Sequence, residues 1–244
     1  METRAPFVLA IVAALAAAVP ASSFAQDYAA IVAAPERAEA DRQTDKRREP
    51  VKLLAFTGVK SGMTVLDMGA GGGYSTELMA RAVGPTGKVY AQDHETAARA
   101  KERFEARMKT DAMKNVEALD RPFDDPLPEG VSNLDLITFF FFYHDTTYMA
   151  VDRAAMNKKL FGALKPGGFL IIADHSALPG AGTSVGKTLH RIEESTLRGE
   201  VEAAGFKLVG SGDWLRHPED PRDERIFQPK VPVDEFVLKF QKPN

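Results

Sequence analysis

Beyond residue 57 the hydrophobic positions fall into short runs rich in β-branched residues, separated by longer amphipathic segments. Five runs predict strands: Thr64–Met68, Lys88–Gln92, Val116–Leu119, Leu134–Phe142 and Phe169–Ala173. The segments between them predict helices over Ser75–Val83, Glu95–Met108 and Met149–Leu164. Gly84 and Pro166-Gly167-Gly168 are stop signals after two of these. Strands alternating with helices imply right-handed crossovers and a parallel sheet covered on both faces. The run Ile137-Thr138-Phe139-Phe140-Phe141-Phe142 fits a central strand buried on both sides.

The two ends differ from this pattern. A helix is expected over Thr183–Ala204, with apolar residues at Val185, Leu189, Ile192, Leu197 and Val201. Two runs follow, Phe206–Ser211 and Asp234–Phe240, with a proline-rich loop and no helix between them, which predicts an antiparallel final pair. At the other end Tyr28–Arg42 reads as helical and Asp41–Arg48 as a solvated run of charge. Pro50 sits where a helix can start. Further upstream, Met1–Arg4 carries one basic side chain, Phe7–Val19 is an apolar run closed by Pro20, and Ser23-Phe24-Ala25 has the small–large–small spacing of a signal-peptidase site. The apolar run is shorter than the ~20 residues a membrane-spanning helix needs. The expected organisation is a signal peptide over 1–25 cut after Ala25, a helical lead-in over 26–60 and one domain over 61–244. A mature chain so produced carries no membrane anchor and is periplasmic or secreted.

Charge and composition narrow the chemistry. With 31 basic against 34 acidic residues, interleaved, the chain has no basic face for nucleic acid. The absence of cysteine excludes disulfides, thiolate metal sites and cysteine nucleophiles.

The segment Asp67-Met68-Gly69-Ala70-Gly71-Gly72-Gly73-Tyr74 leads from a strand into a helix. Glycines at Gly69, Gly71 and Gly73 allow a tight turn and let a ligand lie against bare backbone, next to a helix N-terminus. A dinucleotide fingerprint would demand glycine at Tyr74. Asp67 either takes a ligand's amino group or orders the loop that does so. Asp93, at the end of the second strand, suits a bidentate contact to ribose hydroxyls.

These features resemble the class I S-adenosylmethionine-dependent methyltransferase superfamily and, more narrowly, a bacterial group of methyltransferases that carry signal peptides. The resemblance spans about residues 45–243. It also rests on Leu164-Lys165-Pro166-Gly167-Gly168 before the fifth strand, on Pro126–Gly130 and Asp135 before the fourth, and on Ala204-Gly205-Phe206 before the sixth. It implies an α/β, doubly wound, mostly parallel seven-stranded sheet with an antiparallel last strand, Rossmann-like, and S-adenosylmethionine as cofactor. The cofactor's carboxypropyl tail would run along Gly69, Gly71 and Gly73. Either Asp120 or Asp124 would stand near the adenine amino group, and Asp120 is the expected one.

In such sheets ligands lie beyond the carboxyl ends of the strands. Tyr143-His144-Asp145 and Asp174-His175 fall there. Methyl transfer needs proximity, orientation and, for a hydroxyl acceptor, a base. His144 is the expected general base, with Asp174 and His175 orienting it or touching the acceptor, a small molecule. The same residues offer N and O donors. Catechol-type members of the fold hold Mg²⁺ on all-oxygen sites at these two strand ends, whereas two histidines suit a transition metal; no metal is assigned to the expected site. His190 with Glu193 and Glu194 reads as a surface ion pair, and Trp214 as core.

Overall fold

The computed structural model describes Met1 and residues 26–244; the expected signal segment and its cut after Ala25 lie outside the described residues. Seven strands form one sheet in the order β3-β2-β1-β4-β5-β7-β6. They are β1 (Thr64–Met68), β2 (Lys88–Asp93), β3 (Val116–Asp120), β4 (Leu134–Phe140), β5 (Leu164–His175), β6 (Lys207–Gly212) and β7 (Glu235–Gln241). The pairs among β1 to β5 are parallel, and β7 runs antiparallel between β5 and β6. The chain order reverses between β1 and β4, the switch point where an open α/β sheet opens a crevice.

The helices are α1 (Tyr28–Ala33), α2 (Glu39–Arg48), α3 (Pro50–Thr57), α4 (Tyr74–Val83), α5 (Ala98–Met108), α6 (Arg153–Ala163), α7 (Gly186–Leu189) and α8 (Glu194–Ala203). Both sheet faces are buried. On one, Ile137 and Phe139 of β4 pack with Leu160 of α6 and Leu197 of α8. On the other, Leu136 and Phe140 pack with Leu53 and Leu54 of α3 and Leu78 and Met79 of α4. Each such leucine contributes about 1.5–3 kcal/mol. That two-sided burial is why β4 lacks polar alternation, and it makes α3 of the lead-in part of the core.

Several expected elements are revised. β4 ends at Phe140, not Phe142, because Phe141 takes a left-handed conformation, φ 59°. The helix expected over Tyr28–Arg42 breaks at Pro35, giving α1 and α2. The helix expected over Thr183–Ala204 breaks after Leu189. There the Arg191 guanidinium is buried against Asp220 at 2.7 Å and the Ser176 carbonyl at 3.0 Å, while Ile192 donates its N–H to the His175 carbonyl. These contacts override the helical period and leave His190 at φ 56°.

The run Asp41–Arg48 is solvated on one face only: Gln43, Lys46 and Arg47 are exposed, while Asp41, Asp45 and Arg48 turn inward. Arg107 of α5 donates to both Asp41 oxygens, at 2.6 and 3.0 Å, and Arg37 donates to both Asp45 oxygens, at 2.7 and 2.8 Å. Asp41 is buried, and α2 lies across the start of α4. Periodicity cannot register partners 60 residues away. Trp214, expected in the core, is half-buried and packs against it, its ring edge-on to Phe56 at 5.2 Å.

Candidate active site

The loop after β1 turns on three glycines with positive φ: Gly69 at 64°, Gly71 at 52° and Gly73 at 80°. A Cβ at Gly69 would strike the Phe142 ring at 2.9 Å, so the loop after β4 closes directly over the loop after β1. Gly71 is different. A Cβ there would meet only the Gly69 carbonyl, at 3.9 Å, so its outer face is open space.

Buried polar side chains hold this loop. Asp67, fully buried, accepts from Ser75 (2.9 Å), Thr76 (2.7 Å) and Thr138 (2.7 Å). Burial pushes its carboxyl up from the ordinary range, and the three hydroxyls pull it back only in part. With both oxygens engaged, Asp67 ties β1 to β4 and to the first turn of α4; of its two expected parts, the geometry is that of ordering the loop. Gln92 was not singled out beforehand. It accepts from the Gly69 N–H (3.3 Å) and donates to the Arg121 carbonyl (2.7 Å), joining the loops after β1 and β3. Asp93 accepts from the Gly71 N–H at 2.9 Å and the His94 N–H at 2.8 Å. Its burial raises its pKa against the pull of those bonds.

Two cavities meet at Ala70 and Gly71. One, about 320 Å³, is lined by Asp93, Thr96, Phe104, Leu119 and Asp120. Asp93 stands opposite Asp120 in the β2–β3 register. Asp120 is at the exposed rim, 3.0 Å from His94 Nδ1. Asp124 points elsewhere, accepting from the Asp152 N–H at 3.2 Å. The other cavity, about 640 Å³, lies between α2 and the loops after β1 and β4, and Arg48, Gly69, Tyr74, Phe141 and Phe142 line it.

Arg48 is the residue that sequence reasoning passed over. Its guanidinium lies 4.4 Å from the Phe141 ring and 5.3 Å from the Tyr74 ring. Its Nε is sealed from solvent without a hydrogen-bond partner, and among the described residues no carboxylate pairs with it. Burial, reinforced by Arg47, lowers its pKa to about 10. A half-buried cation with no carboxylate beside it among the described residues would be stabilised by an anion entering the cavity. No local pattern distinguishes Arg48 from Arg47, whose guanidinium instead meets Glu235 at 2.6 Å.

The expected catalytic cluster assembles, but outside both cavities. Asp174 accepts from His144 twice, at Nδ1 (2.7 Å) and at the backbone N–H (2.8 Å). His144 Nε2 lies 3.3 Å from Asp145. Burial alone would lower the His144 pKa, but the two carboxylates raise it to about 10. With 1 % exposure and no surface on either cavity, the ring does not face a ligand held there. His175 is also buried, 3.0 Å from a Glu235 oxygen, and burial lowers its pKa despite that carboxylate. His190 does not pair with Glu193 or Glu194. Its Nδ1 lies 3.1 Å from the Asp145 carboxylate, and its ring meets His144 edge-on at 5.4 Å. Glu193 instead accepts from the Gly180 and Gly182 N–H groups, and Glu194 pairs with Arg216. The helix break that repositions His190 left no trace in the local pattern.

Residues 59–210 match a family described as a methyltransferase domain. A demethylmenaquinone methyltransferase of Lactococcus lactis subsp. lactis (strain IL1403) is 30% identical over 130 residues, 52% of this chain and 49% of that protein. The match thus spans about half the length of that relative. Among solved structures, a SAM-dependent methyltransferase from Aquifex aeolicus superposes with a TM-score of 0.59 at 22% identity, covering 83% of this chain and 96% of the other. An S-adenosylmethionine-dependent methyltransferase from Mesorhizobium loti gives 0.58 at 13% identity, over 81% and 99%. The cyclase SpnF gives 0.59 at 16% identity, over 84% and 81%. At these identities the structures speak for the fold alone.

Proposed function

Since the chain belongs to the methyltransferase domain family, with S-adenosylmethionine as its cofactor, we propose that it transfers the cofactor's methyl group to a small-molecule acceptor. The observation that carries the reading is the open backbone of Gly71 between two cavities of opposite character. On one side stands the Asp93 carboxylate, matched to ribose hydroxyls, with Phe104 and Leu119 offering apolar surface to a base and Asp120 at the rim. On the other stands Arg48, a half-buried cation with no carboxylate partner among the described residues and therefore suited to the α-carboxylate of the cofactor's tail. An adenosine head and a carboxylate-ended tail fit this polarity.

When bound, the cofactor supplies an electrophilic methyl on a sulfonium. The protein's part is to orient it and keep water away. Phe141 and Phe142 wall the cavity where the tail would end, and Tyr74, donating to Asp45 at 2.7 Å, ties its outer wall to α2. His144, outside both cavities, is assigned no abstraction step. An acceptor that enters as an anion, or whose carbon is already nucleophilic, needs none.

The reading extends to location. The apolar run Phe7–Val19 and Ser23-Phe24-Ala25 support export, cleavage after Ala25 and a periplasmic or secreted chain without an anchor. Among the described residues no helix is long and apolar enough to cross a membrane. A second reading, an exported binding protein that keeps the cofactor site without turnover, draws support from the burial of His144 between two carboxylates, outside both cavities.

Titration calorimetry with S-adenosylhomocysteine tests the shared premise, and a methyl-labelled cofactor offered with extract fractions tests turnover. Saturable binding with label transfer supports the enzyme. Binding without transfer to any fraction supports the second reading, and no binding defeats both.

A further inference from the structure

The cluster His144–Asp145–His190 lies outside both cavities, and the proposed methyl transfer gives it no task. Three donor atoms, one from each residue, lie within 4.8 Å of one another. His144 Nε2 is sealed from solvent and makes no hydrogen bond, although it lies 3.3 Å from Asp145 Oδ1. The same oxygen is 3.1 Å from His190 Nδ1, and the Tyr148 hydroxyl also donates to it. In a tetrahedral site, metal–nitrogen bonds of about 2.0–2.1 Å set neighbouring donor atoms roughly 3.3–3.4 Å apart. The two separations made by Asp145 Oδ1, 3.3 and 3.1 Å, are already close to that.

The geometry points to a binding site for a divalent first-row transition metal, of which Zn²⁺ is the representative, held by His144 Nε2, the Asp145 carboxylate and His190 Nδ1. Two imidazoles with one carboxylate form a donor set for such ions rather than for Mg²⁺ or Ca²⁺, which take oxygen ligands. The surroundings are those of a built site. Asp174, with no exposed surface, accepts from His144 Nδ1 at 2.7 Å, which keeps Nδ1 as the donor and turns Nε2 toward Asp145, so that a metal would displace only the Nε2 proton; this is the usual arrangement behind a metal-bound histidine. Asp174 is in turn held by the backbone N–H groups of His144 and His175, each at 2.8 Å. His190 is kept left-handed, φ 56° and ψ 51°, a conformation that a β-substituted residue adopts at a cost. The buried Arg191–Asp220 pair beside it holds the chain there. Three protein ligands leave the fourth position of a tetrahedral ion open.

The site differs from an all-oxygen arrangement at the ends of β4 and β5. Its third ligand comes from the break between α7 and α8, and the acid at the end of β5, Asp174, supports rather than ligates.

The test uses the full chain, stripped with a chelator and titrated with Zn²⁺ against a chromophoric competitor, beside His190→Asn, Asp145→Asn, Asp174→Asn and His217→Ala. Asparagine tolerates the left-handed backbone at 190, and circular dichroism and thermal melts verify folding. One Zn²⁺ per wild-type chain is expected. His190→Asn and Asp145→Asn should weaken it by more than roughly 100-fold and Asp174→Asn by about 10–100-fold, whereas His217→Ala should bind like wild type. Co²⁺-loaded wild type should show a visible absorption band that is absent from the two ligand variants; this readout stands even if one variant misfolds. Absence of stoichiometric Zn²⁺ binding by the wild type, equal binding by all five proteins, or preference for Mg²⁺ over Zn²⁺ overturns the assignment.

Discussion

The Asp93 carboxylate accepts a hydrogen bond from the backbone N–H of Gly71 at 2.9 Å. The acid that ends β2 therefore shapes the glycine loop as well as facing the cavity beside it. A contact to ribose and the loop conformation are linked through one side chain.

It follows that Asp93→Ala should cost S-adenosylhomocysteine about 1.5–3 kcal/mol of affinity, the range for hydrogen bonds to a charged group. Adenosine should lose a similar amount. Gly71→Val should abolish binding of both while the chain still folds, because the branched side chain would occupy the open face of the loop and favours negative φ. Calorimetry on the two variants checks this, and an Asp93→Ala protein that binds adenosine like wild type would move the ribose contact elsewhere.

Arg48 should separate the two halves of the ligand. Arg48→Met keeps much of the packing on Phe141 and Tyr74 but removes the charge. S-adenosylhomocysteine affinity should fall by about 1.5–3 kcal/mol, and adenosine, which lacks the carboxylate, should bind unchanged. The ligand-free melting temperature should change little, since methionine keeps the contact with both rings and no carboxylate partner among the described residues is lost. A parallel loss for both ligands would argue that Arg48 acts only on the shape of the loop.

Asp67 should behave as a structural knot. Asp67→Ala leaves the hydroxyls of Ser75, Thr76 and Thr138 without their acceptor. Orphaned buried groups cost roughly 1–3 kcal/mol each, so chemical denaturation should register a loss of at least about 2 kcal/mol. Full stability in this variant would contradict the buried network.

Asp45 sets an acid dependence for the docking of α2. Burial raises its pKa, but the hydrogen bonds from Arg37 and Tyr74 lower it further, leaving it below its ordinary value of 3.8. A carboxylate depressed by folding contributes stability that is present above the unfolded pKa and is lost as pH falls through the folded one. Melting temperatures of wild type should therefore drop more steeply below about pH 4 than those of Asp45→Asn, which has already lost the ion pair. Parallel curves would mean that the Arg37–Asp45 pair does not couple to folding.

Much of this protein was legible in the order of its residues. The α/β alternation, the strand–glycine–helix turn at Asp67–Tyr74 and the antiparallel ending are local signals, written at periods of two and near four and at glycines where φ turns positive. They placed β1 to within its residues, put Asp93 at the end of β2 and brought His144 and Asp174 to adjacent strand ends. Tertiary structure alone decided the rest. Asp41–Arg48 reads as solvated charge until Arg107, 66 residues from Asp41, closes on it. Arg48, without a carboxylate partner among the described residues, reaches the glycine loop only because α2 folds over it. His190 leaves its helix because a buried Arg191–Asp220 pair outweighs helical propensity, and only that break brings it to Asp145. Periodicity reports which face of an element is buried. Which charges meet across elements depends on how those faces dock, and that energy resides in contacts distant in sequence.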